Sequence, residues 1–118
     1  MSDNKKIGNT GEDIAVEYLE KKGYKILERN KHFSRACEID IIALTKDKTL
    51  VFVEVKTRKS DFCGSPLEAI TKTKYQHIKT GLYSYISEHN EYKKYRIDAI
   101  SVILSPKLKI EHLENIWL

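Results

Sequence analysis

The sequence predicts an α/β fold in which a mixed sheet is flanked by helices, and three observations support it. Residues 37–44 and 50–57 are rich in Ile and Val and are apolar on both faces over part of their length, which is typical of central, covered strands. Apolar residues recur at helical spacing both before and after this pair. The second helical stretch is long enough for a crossover into a further strand. The predicted order is αβββαβ with a trailing strand.

The first helix is predicted over residues 10–22, with Thr10 as its N-cap and Gly23 just beyond its end. Its apolar face is formed by Ile14, Ala15, Tyr18 and Leu19. A short strand is predicted over residues 24–29, and a loop over residues 30–36. These two segments lead into the central pair of strands.

A second helix is predicted to follow the central strands. Residues 65–68, Ser-Pro-Leu-Glu, form a capping box with proline at the first helical position, and a helical stripe continues to about Glu88. A break near Thr71 is the alternative, because Thr71 could itself cap a helix. Residues 95–104 and 110–117 are predicted as the last two strands, with Trp117 packing the end of the second.

Length and composition limit the class of protein. A chain of 118 residues with 41% hydrophobic and 32% charged residues predicts one globular domain over residues 1–118. No apolar stretch approaches the roughly 20 residues of a membrane span, and no secretory signal opens the chain. Cys37 and Cys63 are too few for a disulfide scaffold, so a cytoplasmic protein without a membrane partner is expected. The net charge of +4 permits a phosphate partner without demanding one.

The two central strands form a predicted hairpin with its turn centred on Asp47. Leu44 then faces Leu50, Ile42 faces Phe52, Asp40 faces Glu54 and Glu38 faces Lys56. Because side chains alternate, Asp40, Glu54 and Lys56 share one sheet face. The opposite face is wholly apolar and consists of Ile39, Ile41, Ala43, Val51, Val53 and Val55.

Two carboxylates on directly opposed residues repel each other, since their Cβ atoms lie only about 4.5–5.5 Å apart. A divalent cation between Asp40 and Glu54 would make the arrangement favourable, and oxygen ligands suit Mg²⁺ or Mn²⁺. Lys56 points at the same space and could orient an attacking water or stabilise charge on a phosphate. The alternative is a salt-bridged surface, with Glu38 paired to Lys56 and Glu54 solvated.

The hairpin also carries a family resemblance. Glu38-Ile39-Asp40, followed by residues 51–58 with Glu54 and Lys56, looks like the active-site hairpin of PD-(D/E)xK nucleases. The chain most closely resembles the YraN-type uncharacterised protein family, which is similar to archaeal Holliday-junction resolvases. Further landmarks occur in family order at residues 11–12, 23–24, 64–66, 68–71, 74 and 96–98. The resemblance implies a restriction-endonuclease-like αβββαβ core.

The resemblance also implies roles for particular residues. Asp40 and Glu54 would be the metal carboxylates for Mg²⁺ or Mn²⁺, and the Val55 backbone carbonyl would be a third ligand. Lys56 would be the catalytic lysine. Glu12 matches an accessory catalytic acid that reaches the metal directly or through water. From the residues alone, Glu12 is a first-turn acid favoured by the helix dipole.

Several basic residues surround these positions in the sequence. Arg35, Arg58, Lys72 and Lys74 are candidates for contacts with nucleic-acid phosphates, and a solvated basic face is an equal alternative for each. Asp98 is expected to form a structural pair with Arg96 or a neighbouring strand rather than to bind metal.

These observations predict a Mg²⁺- or Mn²⁺-dependent endonuclease that hydrolyses phosphodiester bonds in nucleic acid. DNA is favoured over RNA only by analogy with the resolvases. A non-catalytic nucleic-acid-binding or assembly module on the same fold is the second hypothesis, and a structural domain with an incidental charged hairpin is the third. A homodimer is left open, because no surface in the sequence identifies an interface.

Overall fold

The computed structural model describes residues 2–34, 37–60 and 70–117. It contains two helices and five strands: α1 (Ser2–Lys21), β1 (Lys25–Ser34), β2 (Cys37–Leu44), β3 (Thr49–Ser60), α2 (Lys72–Glu88), β4 (Lys94–Ser105) and β5 (Lys109–Leu113). Arg35, Cys63 and the predicted capping box at residues 65–68 lie outside the described residues.

The strands form one mixed sheet in the order β1-β2-β3-β4-β5. β3 and β4 are parallel, and every other neighbouring pair is antiparallel. α2 connects the parallel pair, as such a connection requires. The predicted α/β fold, with a mixed sheet flanked by helices, is therefore confirmed.

The helices cover opposite faces of the sheet. Ala15 and Leu19 of α1 pack on a cluster that includes Ile41, Ala43, Val51 and Val53, with Val55 at its margin. α2 covers the other face, where its buried residues pack on Ile39, Ile42, Leu50 and Phe52. The predicted apolar face is thus confirmed except for Ile39, which lies on the α2 side because strict alternation breaks at Asp40.

Two element boundaries near the N-terminus were predicted wrongly. α1 begins at Ser2, so Thr10 lies inside the helix; the preceding residues contain no proline that would prevent helical continuation. β1 continues to Ser34, although residues 30–36 were predicted as a loop. Pairing with β2 supplies the hydrogen bonds for this polar stretch, and the strand passes register shifts on either side of Asn30, whose φ is +53°.

The other boundaries follow the prediction more closely. Gly23, with φ of +95°, follows α1 and donates its N–H to the Glu20 carbonyl at 2.9 Å. Thr71 caps α2, which confirms the alternative start of this helix. β5 ends at Leu113, so the predicted strand over residues 110–117 is too long. Neither helix has a stretch long and apolar enough to cross a membrane, within the residues described.

Candidate metal centre

The β2–β3 hairpin has the predicted register, with Leu44 opposite Leu50 and Ile42 opposite Phe52. The backbone ladder ends one pair later, before it reaches Asp40. There the Asp40 carboxylate accepts a hydrogen bond from the Val55 N–H at 2.8 Å. A side chain therefore connects the two strands at the point where their backbones stop pairing.

The predicted pair between Glu38 and Lys56 is not formed. Glu38 lies instead near its β1 neighbour, with 3.5 Å between its Oε2 and the His32 Nε2. Lys56 is exposed, and its side chain makes no hydrogen bond or ion pair with any residue in the described ranges. The salt-bridged surface considered from the sequence therefore lacks its main contact.

Asp40 and Glu54 come into contact in a largely buried setting. Their carboxyl groups are within hydrogen-bonding reach of each other, and only 10% of the Glu54 side chain is exposed. Burial, followed by the charge of Asp40, raises the pKa of Glu54 to about 7. Burial also raises the pKa of Asp40, although the Val55 N–H and Lys74 oppose that change. The pair is suited to hold a proton or a cation between its oxygens.

Lys74 supplies a counter-charge from the other side of the site. Its Nζ lies 2.6 Å from Glu54 Oε1. Lys74 is in the first turn of α2, where its backbone N–H donates to the Thr71 hydroxyl at 3.1 Å. The sequence placed Lys74 among phosphate-binding candidates and missed this ion pair, because the pair depends on how α2 docks over β3.

Glu12 approaches the carboxylate pair from α1. Its side chain is 16% exposed, and burial, followed by the charge of Asp40, raises its pKa. The side chains of Asn30 and Arg29 act to lower its pKa, and Arg29 Nη2 lies 3.9 Å from its Oε1. Sequence reasoning missed Asn30, although asparagine is one of the few residues that readily adopts a positive φ.

Gly11 explains how α1 comes so close to the sheet. A Cβ atom at this position would lie 1.7 Å from the Thr57 Oγ1, so only glycine fits here. The backbone of α1 at Gly11 therefore lies against Thr57 of β3, and the next residue, Glu12, is placed near the end of the β2–β3 ladder. The glycine sets the distance between Glu12 and the strand that carries Glu54.

Two acidic oxygens at the site are buried without a hydrogen-bond donor among the described residues, Glu12 Oε1 and Glu54 Oε2. Buried oxygens of this kind are costly unless a proton or a cation satisfies them. Their chemistry fits Mg²⁺ or Mn²⁺, which prefer oxygen ligands. No three His, Cys, Asp or Glu side chains in the described ranges converge as a ready metal cage.

The remaining basic candidates lie on the elements that carry the site. Lys72 is the first residue of α2 and is exposed. Arg58 is half-buried on β3, four residues beyond Glu54. The position of Arg35 is outside the described ranges, so its assignment stays a prediction.

Asp98 forms a second buried acidic centre of a different kind. It accepts hydrogen bonds from Arg96 Nε at 2.9 Å, from the Asn115 N–H at 2.9 Å, and pairs with His112 Nε2 at 2.8 Å. Burial raises the pKa of Asp98, but these three partners outweigh burial and leave it below its ordinary value. The predicted structural pairing with Arg96 is confirmed.

The order of elements and the mixed sheet define an α/β protein that is compatible with a restriction-endonuclease-like core. A sequence model of the Uncharacterised protein family UPF0102 matches residues 11–102. The chain belongs to this family, which is the YraN-type family that the sequence resembles.

Individual relatives extend the similarity over nearly the whole chain. A UPF0102 protein of Caldanaerobacter subterraneus is 49% identical over 117 residues, covering 96% of this chain and 93% of the relative. UPF0102 proteins of Syntrophomonas wolfei and Flavobacterium psychrophilum are each 43% identical, covering 95% and 98% of this chain and 97% and 96% of the relatives. The names of these relatives state no activity.

Proposed function

We propose that this protein is a Mg²⁺- or Mn²⁺-dependent nuclease that hydrolyses phosphodiester bonds in nucleic acid, with DNA favoured over RNA by analogy with the resolvases. One observation carries the proposal. The half-buried Asp40 and the buried Glu54 contact each other, and Glu54 Oε2 has no hydrogen-bond donor among the described residues. Two adjacent carboxylates in such a setting repel each other unless a proton or a cation lies between them, and a divalent cation turns this repulsion into attraction.

In this proposal Asp40, Glu54 and the Val55 carbonyl would hold the metal, and Glu12 would contribute directly or through a water molecule. When bound, the metal supplies Lewis-acid stabilisation of the charge that develops on the phosphate. Lys74 fixes the rotamer of Glu54 by its bond to Oε1, which leaves Oε2 directed elsewhere. The Lys56 side chain is exposed and long enough for its ammonium group to approach the substrate. There it would orient the attacking water or stabilise the charge on the phosphate.

A non-catalytic nucleic-acid-binding or assembly module is the second candidate, and one observation favours it. Lys56 makes no contact with the site carboxylates in the described part of the chain, while Lys74 already occupies one oxygen of Glu54. A site in which no lysine adjoins the reacting phosphate could bind nucleic acid without cleaving it. The two candidates differ only in whether a bond is broken.

The test is metal-dependent cleavage of single-stranded, duplex, flapped and four-way DNA. We expect the unaltered protein to cut at least one of these with Mg²⁺ or Mn²⁺ and not with EDTA. Asp40→Asn and Glu54→Gln should each lower the rate by at least about 100-fold. Glu88→Gln is the matched control, because Glu88 is an exposed acid at the far end of α2. Binding without cleavage of any substrate would support the second candidate and contradict the first.

A further inference from the structure

Exposed aromatic side chains gather on one surface away from the metal centre. The large exposed hydrophobic residues in the described ranges are Tyr83, Tyr95, Leu108 and Trp117. All but Leu108 line a single groove of about 200 Å³ beside α2, which we call the aromatic groove; Lys79, Arg96 and Ile116 line it as well. A concentration of exposed aromatic area of this kind marks a binding surface more often than chance.

Trp117 is exposed although its backbone is firmly anchored. The preceding residue, Ile116, is buried, donates its N–H to the Ile97 carbonyl at 2.8 Å and accepts from the Tyr75 hydroxyl at 3.1 Å. One residue earlier, the Asn115 N–H is held by Asp98. The indole of Trp117 nevertheless remains 81% exposed, so the fold presents an aromatic side chain on an anchored backbone.

The charged residues that line the groove are cationic. Arg96 is committed to Asp98 and to Glu114, whose Oε1 lies 3.4 Å from Arg96 Nη2. Lys79 forms no ion pair within the described ranges, and its Nζ lies 5.8 Å from the centre of the Tyr75 ring. An ammonium that lines the same groove as exposed aromatic rings is complementary to a phosphate next to a stacked base.

The groove and the metal centre are connected by α2. Lys74 contacts Glu54 near the start of the helix, and Tyr83 lies nine residues further along it. At 1.5 Å per residue this is a distance of about 14 Å along the axis. Nine residues are also two and a half helical turns, so Lys74 and Tyr83 lie on opposite sides of α2, and a strand that contacts both must cross the helix.

We infer that the aromatic groove binds single-stranded nucleic acid by stacking an unpaired base on Trp117 and Tyr83, with Lys79 holding a neighbouring phosphate. The inference rests on the proposed function and specifies its substrate class: nucleic acid with an unpaired segment next to the site of cleavage. Stacking on aromatic rings requires an accessible base face, which a duplex does not offer.

Trp117 is the only tryptophan in the chain, so its fluorescence reports on the groove directly. The unaltered protein is titrated in EDTA with an oligothymidylate, an abasic oligonucleotide of the same length, and a duplex. We expect quenching by oligothymidylate and little by the other two. Tyr83→Ala and Tyr95→Ala should weaken the oligothymidylate titration by roughly tenfold. Leu108→Ala is the matched control, since Leu108 is exposed outside the groove, and it should change nothing.

Trp117→Leu, measured by the anisotropy of a labelled oligonucleotide, should lose affinity by a similar factor. Equal quenching by the abasic strand or the duplex would overturn the inference. A change in emission with protein concentration alone, accompanied by dimer formation, would overturn it too and assign the groove to a second copy. Because binding is measured in EDTA, the inference can fail while metal-dependent cleavage stands, and cleavage can fail while stacking stands.

Discussion

Opposing electrostatic effects act on the side chain of Glu54. It is nine-tenths buried, adjoins Asp40, and has Lys74 on one oxygen and no donor on the other within the described residues. Burial and Asp40 favour the protonated form, whereas Lys74 favours the ionised form. The metal-free protein should therefore respond to pH and to charge removal at this residue.

The pH dependence has a defined sign. The pKa of Glu54 rises from its ordinary value of 4.5 to about 7, so between these values the folded state keeps a proton that the unfolded state releases. Stability without metal should then fall as pH rises through this window, on the order of 2–3 kcal/mol. Glu54→Gln should flatten the fall. Urea unfolding at pH 5 and pH 8 in EDTA measures it, and an unchanged difference in Glu54→Gln would contradict the assignment.

Lys74 and Lys56 should behave differently when each is replaced by methionine. Lys74→Met removes the counter-charge of a buried carboxylate, so the metal-free protein should lose about 1–2 kcal/mol. Its stabilisation by Mn²⁺ should exceed that of the unaltered protein, because the ion then supplies the missing charge. Lys56→Met is the control, since Lys56 is exposed and has no partner among the described residues. Equal melting of the two variants would refute the role assigned to Lys74.

At the scale of elements, the sequence predicted most reliably what side-chain alternation determines. β2 has the predicted bounds, and the hairpin register follows from the position of its turn. The extension of β1 beyond Arg29 could not be predicted, because its residues are polar and their strand pairing depends on β2. Ile39 was assigned to the wrong face because the irregular pairing at Asp40 leaves no mark in the pattern of apolar residues.

The contact between α1 and β3 gives an element-scale prediction. Gly11→Ala would place a methyl group against Thr57 Oγ1, so α1 must shift away from the sheet, at a cost of about 1–3 kcal/mol. Thr57→Ala in the same chain removes the atom that clashes most and should restore part of the loss. A double-mutant cycle by urea unfolding measures the coupling. Additive losses would show that the two residues do not meet.

At the scale of the whole molecule, the candidate centre is assembled from both sides of the sheet. Glu12 comes from α1, Asp40 and Glu54 come from the central hairpin, and Lys74 comes from α2. The contact between Asp40 and Glu54 was predicted from the register of the β2–β3 hairpin alone. The ion pair of Lys74 could not be predicted, because it depends on the packing of a helix that follows β3 by more than ten residues.

The exposure of Trp117 also could not be predicted from the sequence. The sequence indicated that it would pack the end of the last strand, but β5 ends at Leu113 and the indole is exposed. The Asp98 network and the burial of Ile116 fix this segment through contacts distant in sequence. The burial of an apolar residue that follows a strand can be predicted from the sequence only when the strand pairing extends to that residue.

The measurement that tests the central claim most directly is thermal unfolding with and without Mg²⁺ or Mn²⁺. We expect the unaltered protein to gain stability from the ion, because the ion binds only the folded state. Asp40→Asn and Glu54→Gln should melt no lower than the unaltered protein without metal, since each relieves a buried repulsion, and both should lose most of the gain. Lys56→Ala should keep it. If Asp40→Asn melts clearly lower and the unaltered protein ignores both ions, Asp40 and Glu54 do not form a metal centre.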